Sequence, residues 1–150
     1  MAPKYYKKRY YRGGRDKYSI EQNAVTVSTN ATGDGGVVIV PPATIQGMRK
    51  VKHLTVSMAQ NNSGQGVYWA IVYVPQGTTP STIQVDAGAM YEPNQYVMCC
   101  GIFDVDAGPM RVHCPLSRNL NSGDSIYLIL RSTVANTVYN TVVRYAVTLQ

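Results

Sequence analysis

The sequence is poor in the side chains from which catalytic and metal sites are usually built. Only two of its 150 residues are histidine, and only three are cysteine. A metal-dependent β-protein of the cupin kind needs several histidines and a carboxylate that converge on one point, so this chain has too few ligands for that class. The glycine-rich stretch at 33–36 is followed by no Lys-Ser or Lys-Thr pair, which argues against a phosphate-binding loop. We expect no enzyme activity, no catalytic residues and no cofactor.

The three cysteines form no metal or disulfide pattern. Cys99, Cys100 and Cys114 are odd in number and lack CxxC spacing, which favours a reducing compartment. Together with His113 they suggest a zinc set, but adjacent residues of a strand face opposite ways, so at most two of the four converge. We expect passive, buried thiols and no metal at this position.

The stretch DVDAG at 104–108 is a second candidate for a metal site. Asp104 and Asp106 could hold a calcium ion between subunits, but the stretch lacks a third carboxylate and the distal glutamate of a loop site. A plain turn is the favoured interpretation. We therefore expect no bound metal anywhere in the chain.

Long apolar runs are also missing. No stretch approaches 18 uninterrupted apolar residues, so we expect no membrane span and no membrane partner. The N-terminal residues lack the apolar centre of a secretory signal, and none is expected. A chain of this length fits one domain that buries a core without the help of disulfide bonds.

Positive charge is concentrated at the N-terminus. Residues 1–17 contain seven basic residues and one acidic residue, a net charge of +6 that equals the formal net charge of the whole chain. From residue 18 onward, seven basic residues balance seven acidic ones. A block of like charge repels itself, so this arm is typical of a segment that binds a polyanion. Because the body at 18–150 is neutral, we expect salt-dependent binding to vanish when the arm is deleted.

Tyrosines alternate with the charges of the arm and indicate which polyanion it binds. Tyrosine rings stack on unpaired bases while lysine and arginine follow phosphates, so we predict single-stranded nucleic acid as the partner. The candidate nucleic-acid-binding residues are Lys4, Tyr5, Tyr6, Lys7, Lys8, Arg9, Tyr10, Tyr11, Arg12, Arg15 and Lys17. A membrane-surface helix fits less well, because the arm has no large aliphatic residues. A nuclear localisation signal and a disordered solubilising tail are compatible alternatives.

The body consists of short apolar runs separated by turn-forming residues. Val, Thr, Ile and Tyr dominate the runs, and Gly, Pro, Asn and Asp separate them, which is typical of β-strands. The eight predicted strands are 18–28, 36–40, 50–59, 66–74, 95–103, 110–116, 124–131 and 141–149. Eight strands at this spacing predict an all-β domain of two packed antiparallel sheets, a sandwich or a jelly roll.

Two of the predicted strands are apolar on both faces. The strand at 66–74 has Trp69 and Tyr73 on one face and further apolar residues at the alternate positions. The strand at 95–103, which contains Tyr96 and Phe103, shows the same pattern. A strand that is apolar on both faces is covered on both, and without helices the cover is another copy of the chain. We therefore predict a subunit interface that includes Trp69, Tyr73, Tyr96 and Phe103.

Three stretches of the body, together with the arm, resemble a known family. They are VYWAIVYVPQGTTPSTIQ at 67–84, MYEPNQYVMCCGIFD at 90–104 and RVHCPLSRNLNSGDSIYLIL at 111–130. In this order behind a basic arm, they are similar to the capsid proteins of circular single-stranded DNA viruses that encode a rolling-circle replication initiator (CRESS DNA viruses), the circovirus-like group. The chain differs from that family in being short and in having a tyrosine-rich arm instead of a dense arginine block.

The resemblance implies a single eight-stranded jelly roll whose strands B to I are the eight runs. It also implies self-assembly, in which sixty copies close an icosahedral T=1 shell with the arms pointing inward onto the genome. The expected locations are then the virion and, during assembly, the host nucleus, with a host import receptor as a further partner.

Two other functions fit part of the pattern. Coat proteins of small RNA or satellite viruses also combine a basic arm with a jelly roll, and stacking and charge do not separate DNA from RNA. A carbohydrate-binding jelly-roll module needs exposed aromatic residues over a cleft and has no use for a +6 arm. Particle size separates the classes, because a shell has a mass of megadaltons and a binding module is a monomer or small oligomer.

Overall fold

The described part of the chain is built almost entirely of β-strands. The computed structural model describes residues 18–44, 46–60, 66–80, 82–83, 85–86, 89–90 and 96–149. The strands are β1 (Ser19–Ser28), β2 (Asp34–Val40), β3 (Arg49–Gln60), β4 (Gly66–Val74), β5 (Val85–Asp86), β6 (Ala89–Met90), β7 (Val97–Asp104), β8 (Met110–Cys114), β9 (Arg118–Leu120), β10 (Ser125–Ser132) and β11 (Val138–Leu149). A 3₁₀ turn, Val105–Ala107, follows β7. Among these residues, no helix is long and apolar enough to cross a membrane.

Nine of the strands form two antiparallel sheets with the topology of a jelly roll. The first sheet has the order β1-β11-β3-β8, with β9 also paired to β3, and the second has the order β2-β10-β4-β7. The short strands β5 and β6 pair with each other. If β8 and β9 share the place of one strand and the strands are lettered B to I along the chain, the two orders read B-I-D-G and C-H-E-F. The predicted fold class is therefore confirmed.

The sixth predicted strand, 110–116, is observed as β8, and the short strand β9 that follows it accounts for the ninth strand. Strand β8 ends at Cys114, and β9 begins at Arg118 on the same neighbour, β3. Pro115 has no N–H group to donate to the ladder, so pairing stops there. Opposite the break, β3 contains a bulge at His53, whose φ is 55°. The predicted strand 110–116 extends too far, because Leu116 lies in the break and is 51% exposed on the surface instead of buried with Cys114.

Side-chain alternation places the core between the two sheets, as the sequence pattern predicts. In β10, Ile126, Leu128 and Leu130 point into this core, while Tyr127 and Ile129 point to the outer face. The largest fully buried side chains include Tyr139, Tyr145, Ile39, Leu54, Met58, Ile71, Leu120, Ile126, Leu128 and Leu130. Each aliphatic side chain of this kind contributes about 1.5–3 kcal/mol when it leaves water, so the packed sheets supply most of the stability.

The single tryptophan packs on a glycine of the neighbouring strand. Trp69 in β4 lies opposite Gly101 in β7 in the ladder. A Cβ atom at Gly101 would lie 2.9 Å from the Trp69 ring, so only glycine leaves room for the ring in this position. The glycine weakens β7 as a strand, but the ring covers the exposed backbone and compensates for the missing side chain.

Candidate functional site

The arm meets the described structure at Tyr18. The candidate nucleic-acid-binding residues between Lys4 and Lys17 lie outside the described residues, so their role stays a prediction. The centre of the Tyr18 ring lies 4.7 Å from Nζ of Lys52, a cation–π contact with strand β3. Because Lys17 is bonded directly to Tyr18, the basic arm joins the body beside β3.

The four residues predicted at a subunit interface fall into two groups. Trp69 and Phe103 are only 6% and 5% exposed, and both belong to the core between the chain's own sheets. Their burial therefore needs no neighbouring subunit. Tyr73 and Tyr96 are half-buried, and the centres of their rings lie 5.9 Å apart. The interface role of the four residues stays a prediction. Of the four, only Tyr73 and Tyr96 have side chains that are partly exposed and can contact a neighbouring subunit.

Tyr73 lies at the centre of a polar network at the end of β4. Its hydroxyl donates a 2.7 Å hydrogen bond to Oδ2 of Asp124. The same carboxylate accepts hydrogen bonds from the backbone N–H groups of Gln76 at 3.0 Å and Asn121 at 2.8 Å. The guanidinium of Arg118 lies 4.2 Å from the centre of the Tyr73 ring. The network joins the loop after β4 to the turn before β10 and fixes the orientation of the Tyr73 ring.

The electrostatics of this network stabilise one protonation state. Burial alone would raise the pKa of Asp124, but the hydrogen bonds from Tyr73, Asn121 and Gln76 outweigh it and hold the pKa below its ordinary value. Burial, followed by the hydrogen bond and the charge of Asp124, raises the pKa of Tyr73 to about 12. At neutral pH the pair is therefore a neutral hydroxyl that donates to a carboxylate, the stronger class of hydrogen bond.

Sequence reasoning marked the turn before β10 but missed the role of its aspartate. The N–H group of Asp124 donates to the carbonyl oxygen of Asn121, and Gly123 between them has a φ of 84°, which favours glycine. The sequence NSGD at 121–124 is typical of a turn, and a turn is observed there. This sequence carries no sign of the contact with Tyr73, which is 51 residues away in the chain.

The outer face of the sheet β2-β10-β4-β7 carries a second, smaller apolar cluster. Its buried members are Ala70, Val72, Val74, Ile83 and Ile129, and its half-buried members are Tyr68, Val97 and Tyr127. Ile83 belongs to the connection between β4 and β7, so the chain itself covers part of this face. Ile102 on the same face is 63% exposed. Cover of this face by another copy stays a prediction, and Ile102 marks an exposed part of the face.

The cysteines do not converge with His113. Cys114 is fully buried, Cys99 packs against the same core, and Cys100 is exposed on the outer face of β7. His113 is exposed and points away from Cys114, as adjacent strand residues do. Burial, followed by the neighbouring Cys114 and Cys100, raises the pKa of the Cys99 thiol. Cys114 is thus buried as expected and Cys99 is half-buried, but the expectation of burial is wrong for Cys100, which is exposed. The passivity of the thiols stays a prediction.

The two aspartates after β7 shape a turn. A side-chain oxygen of Asp104 accepts a 3.0 Å hydrogen bond from the N–H group of Asp106 and caps the 3₁₀ turn. Within the ranges that the structure describes, no group of three or more His, Cys, Asp or Glu side chains is placed to hold a metal ion.

Comparison with known proteins gives only distant likenesses. No protein-family model matches the sequence, and no curated protein is significantly similar to it. The fold is similar to a protein of the Bacillus endospore appendages, a family of disulfide-linked pili, with 14% identity, a TM-score of 0.37 and coverage of 91% of this chain and 93% of that one. It is also similar to the CBM22-1 xylan-binding domain of Paenibacillus barcinonensis Xyn10C, with 13% identity, a TM-score of 0.36 and coverage of 92% and 83%.

A third likeness is to a structure of infectious bursal disease virus, with 8% identity, a TM-score of 0.25 and coverage of 90% of this chain and 43% of that one. TM-scores this low carry no argument about function. The jelly roll is established by the strand order of the chain itself.

Proposed function

We propose that this chain is a viral coat protein that self-assembles into a small closed shell and packages single-stranded DNA through its N-terminal arm. The observation that carries the proposal is the separation of charge along the chain, +6 in residues 1–17 and zero in the remainder. A segment of this charge is suited to a polyanion, and its tyrosines add stacking on any base. Packaging a whole genome needs contacts of this kind, because they do not depend on base sequence.

The body has properties that a shell subunit needs. Its basic and acidic residues balance, so copies can approach one another without net repulsion once the arms are neutralised. The outer face of the sheet β2-β10-β4-β7 offers the exposed Ile102 beside the half-buried Tyr68, an apolar surface for contact with another copy.

Charge arithmetic links assembly to nucleic acid. Sixty arms would carry about 360 positive charges and neutralise about as many phosphates, leaving the remaining phosphates to small cations. Until that happens the arms repel one another. Shell closure is therefore coupled to the binding of the strand.

The test is electron microscopy and light scattering of the purified full-length chain. We expect uniform particles with a mass of megadaltons that protect single-stranded DNA from nuclease. The matched arm variant carries Lys7→Gln, Lys8→Gln, Arg9→Gln and Arg12→Gln, and should lose the protected nucleic acid. A monomer or small oligomer at all concentrations, with or without DNA, would contradict the proposal. Protected RNA in place of DNA would retain the shell and reject the DNA cargo.

The salt dependence of binding tests the role of the arm separately. For single strands, log K falls with log salt by about 0.7 per neutralised phosphate, so the seven basic residues of the arm give a slope of about −5. The arm variant should reduce that magnitude by about 3. Changing Tyr5, Tyr6, Tyr10 and Tyr11 to Ala should weaken binding by about 1–3 kcal/mol for each stacked base and leave the slope unchanged.

A further inference from the structure

The fold collects much of the body's positive charge on one surface. Four of its seven basic residues lie at outward positions of the sheet β1-β11-β3-β8, and we call this surface the basic face. They are Lys50 and Lys52 in β3, Arg111 in β8 and Arg144 in β11. Their neighbours along each strand point the other way, into the core, as Val51, Val112 and Val143 do.

Three of the described acidic residues are engaged away from the basic face. Glu21 in β1 lies on the core side, where its Oε2 accepts a 2.6 Å hydrogen bond from the buried Tyr145. Asp34 forms a 2.6 Å ion pair with Arg131 at the other sheet. Asp124 is held by its network at the end of β4. These three carboxylates therefore do not neutralise the basic face.

The rest of the basic face is suited to a sugar-phosphate backbone. The rings of His53 and His113 stand 6.3 Å apart and nearly parallel, and His113 shares a 3.2 Å hydrogen bond with Thr55. On the same sheet, a shallow groove of about 330 Å³ is lined by residues of β1, β3 and β11, among them Ala24 and Ser57, which pairs with Arg111. Hydroxyl groups, flat rings and cations are the groups that contact phosphates and unstacked bases.

We propose that the basic face is a second contact surface for the backbone of single-stranded nucleic acid. This inference rests on the proposed function and extends it from the arm to the body. The arm joins the body at this surface, because Tyr18, the residue after Lys17, lies against Lys52. Single-stranded nucleic acid that is bound by the arm therefore lies close to the four cations of the basic face. In a closed shell the basic face lines the interior.

The outer face of the other sheet differs in character, which supports placing the basic face toward the interior of a shell. On the sheet β2-β10-β4-β7, Arg131 is already paired with Asp34, and the surroundings are the apolar and aromatic groups Tyr68, Tyr127 and Ile102. The basic face is therefore suited to binding a polyanion, and the outer face of the sheet β2-β10-β4-β7 is suited to contact with protein. The net charge of the body is zero and therefore does not indicate this difference between the two faces.

The test compares two double variants of the full-length chain that each remove two arginines from the body. The face variant carries Arg111→Gln and Arg144→Gln, and the control variant carries Arg118→Gln and Arg131→Gln. A third protein with Arg111→Lys and Arg144→Lys keeps the charge. Each is titrated with short fluorescent poly(dT) at several salt concentrations, after thermal unfolding has shown that it is folded.

The face variant should reduce the magnitude of the salt slope by about 1.4, since each phosphate contact contributes about 0.7. The control variant and the lysine variant should keep the slope of the unmodified chain. An unchanged slope in the face variant, or an equal reduction in the control variant, would overturn the proposal. Loss of binding to phosphatidylserine vesicles by the face variant, with poly(dT) binding intact, would also overturn it and assign the surface to lipid.

The arm variant separates this proposal from the one on which it rests. If the arm variant loses slope and the face variant does not, the coat-protein function stands and the second surface is rejected. If the face variant loses slope and the arm variant does not, the body is the binding element and the arm's packaging role is rejected.

Discussion

The hydroxyl of Tyr73 donates a 2.7 Å hydrogen bond to Asp124, and this contact ties the end of β4 to the turn that begins β10. The two strands are neighbours in one sheet, so the bond fixes the end of their ladder. With two backbone N–H groups on the same carboxylate, three donors depend on a single buried side chain. The network is therefore expected to be sensitive to changes in the acceptor.

Replacing Asp124 by Asn should lower the free energy of unfolding by about 1–3 kcal/mol, because an amide has one acceptor oxygen where the carboxylate has two and leaves a donor unpaired. Tyr73→Phe should cost about 0.5–1.5 kcal/mol through the loss of one hydrogen bond. Denaturant unfolding measures both. Tyr127→Phe is the matched control, since Tyr127 is half-buried and its hydroxyl forms no hydrogen bond within the described part of the chain, and it should unfold like the unmodified chain. Equal losses in the two tyrosine variants would show that the Asp124 contact adds nothing.

The same pair should shape the pH dependence of stability. The pKa of Asp124 is lowered on folding, so its contribution is present above the unfolded pKa and disappears as pH falls through the folded pKa. The pKa of Tyr73 is raised from 10.0 to about 12, so its contribution is present below 10 and is lost as pH rises towards 12. The stability gap between the unmodified chain and Asp124→Asn should therefore narrow in acid. A gap that stays constant down to acid unfolding would refute this assignment.

Gly101→Ala should destabilise the fold by about 1–3 kcal/mol, because the added methyl group overpacks the core against Trp69. Gly66→Ala is the matched control in the neighbouring strand, since a Cβ there meets nothing within 4 Å. Neither glycine has a positive φ, so backbone strain does not enter the comparison. The control should be neutral or gain up to about 1 kcal/mol from reduced freedom of the unfolded chain. Thermal and denaturant unfolding check both values.

Ile102→Glu should block assembly and leave the fold intact, because this side chain is 63% exposed and lies on the face assigned to contact with another copy. Leu116→Glu, at a residue 51% exposed beside the other sheet, is the control and should still form particles. Light scattering reports the particles, and unfolding curves report the fold. Tyr73→Glu is a poorer probe, because the new carboxylate would lie against Asp124 and disturb the fold itself. Normal particles from Ile102→Glu would remove this face from the interface.

The three thiols should differ in reactivity. Native protein treated with iodoacetamide should be modified first at the exposed Cys100, slowly at Cys99, whose raised pKa keeps it as a thiol, and last at the buried Cys114. Peptide mass spectrometry gives the order. Particles should also survive both reductant and chelator. Dissociation by reductant would reveal a disulfide between copies, and dissociation by chelator would restore the calcium site at Asp104 and Asp106.

The local pattern of the sequence determined the strands and their faces. Apolar residues at every second position and turn residues between the runs placed eight strands within a few residues of their observed ends, since side chains on a strand alternate with a period of two. The charge of the arm was equally plain, because a net charge is a sum over neighbouring residues. Pro115 marked the break between β8 and β9, but the sequence pattern alone let the strand run on to Leu116.

Only the tertiary structure decided which residues meet across the sheets. The bond between Tyr73 and Asp124 joins positions far apart in the chain, and Ile83 covers a face for which the sequence pattern had suggested another copy. The body is neutral as a sum, yet Lys50, Arg111 and Arg144 lie on one outer face, while three of the acidic residues, Glu21, Asp34 and Asp124, are engaged elsewhere. The physical reason is that Coulomb interactions depend on distance in space and not on separation along the chain. The strand order decides which charged residues become neighbours, so a body with zero net charge can still have a positively charged face.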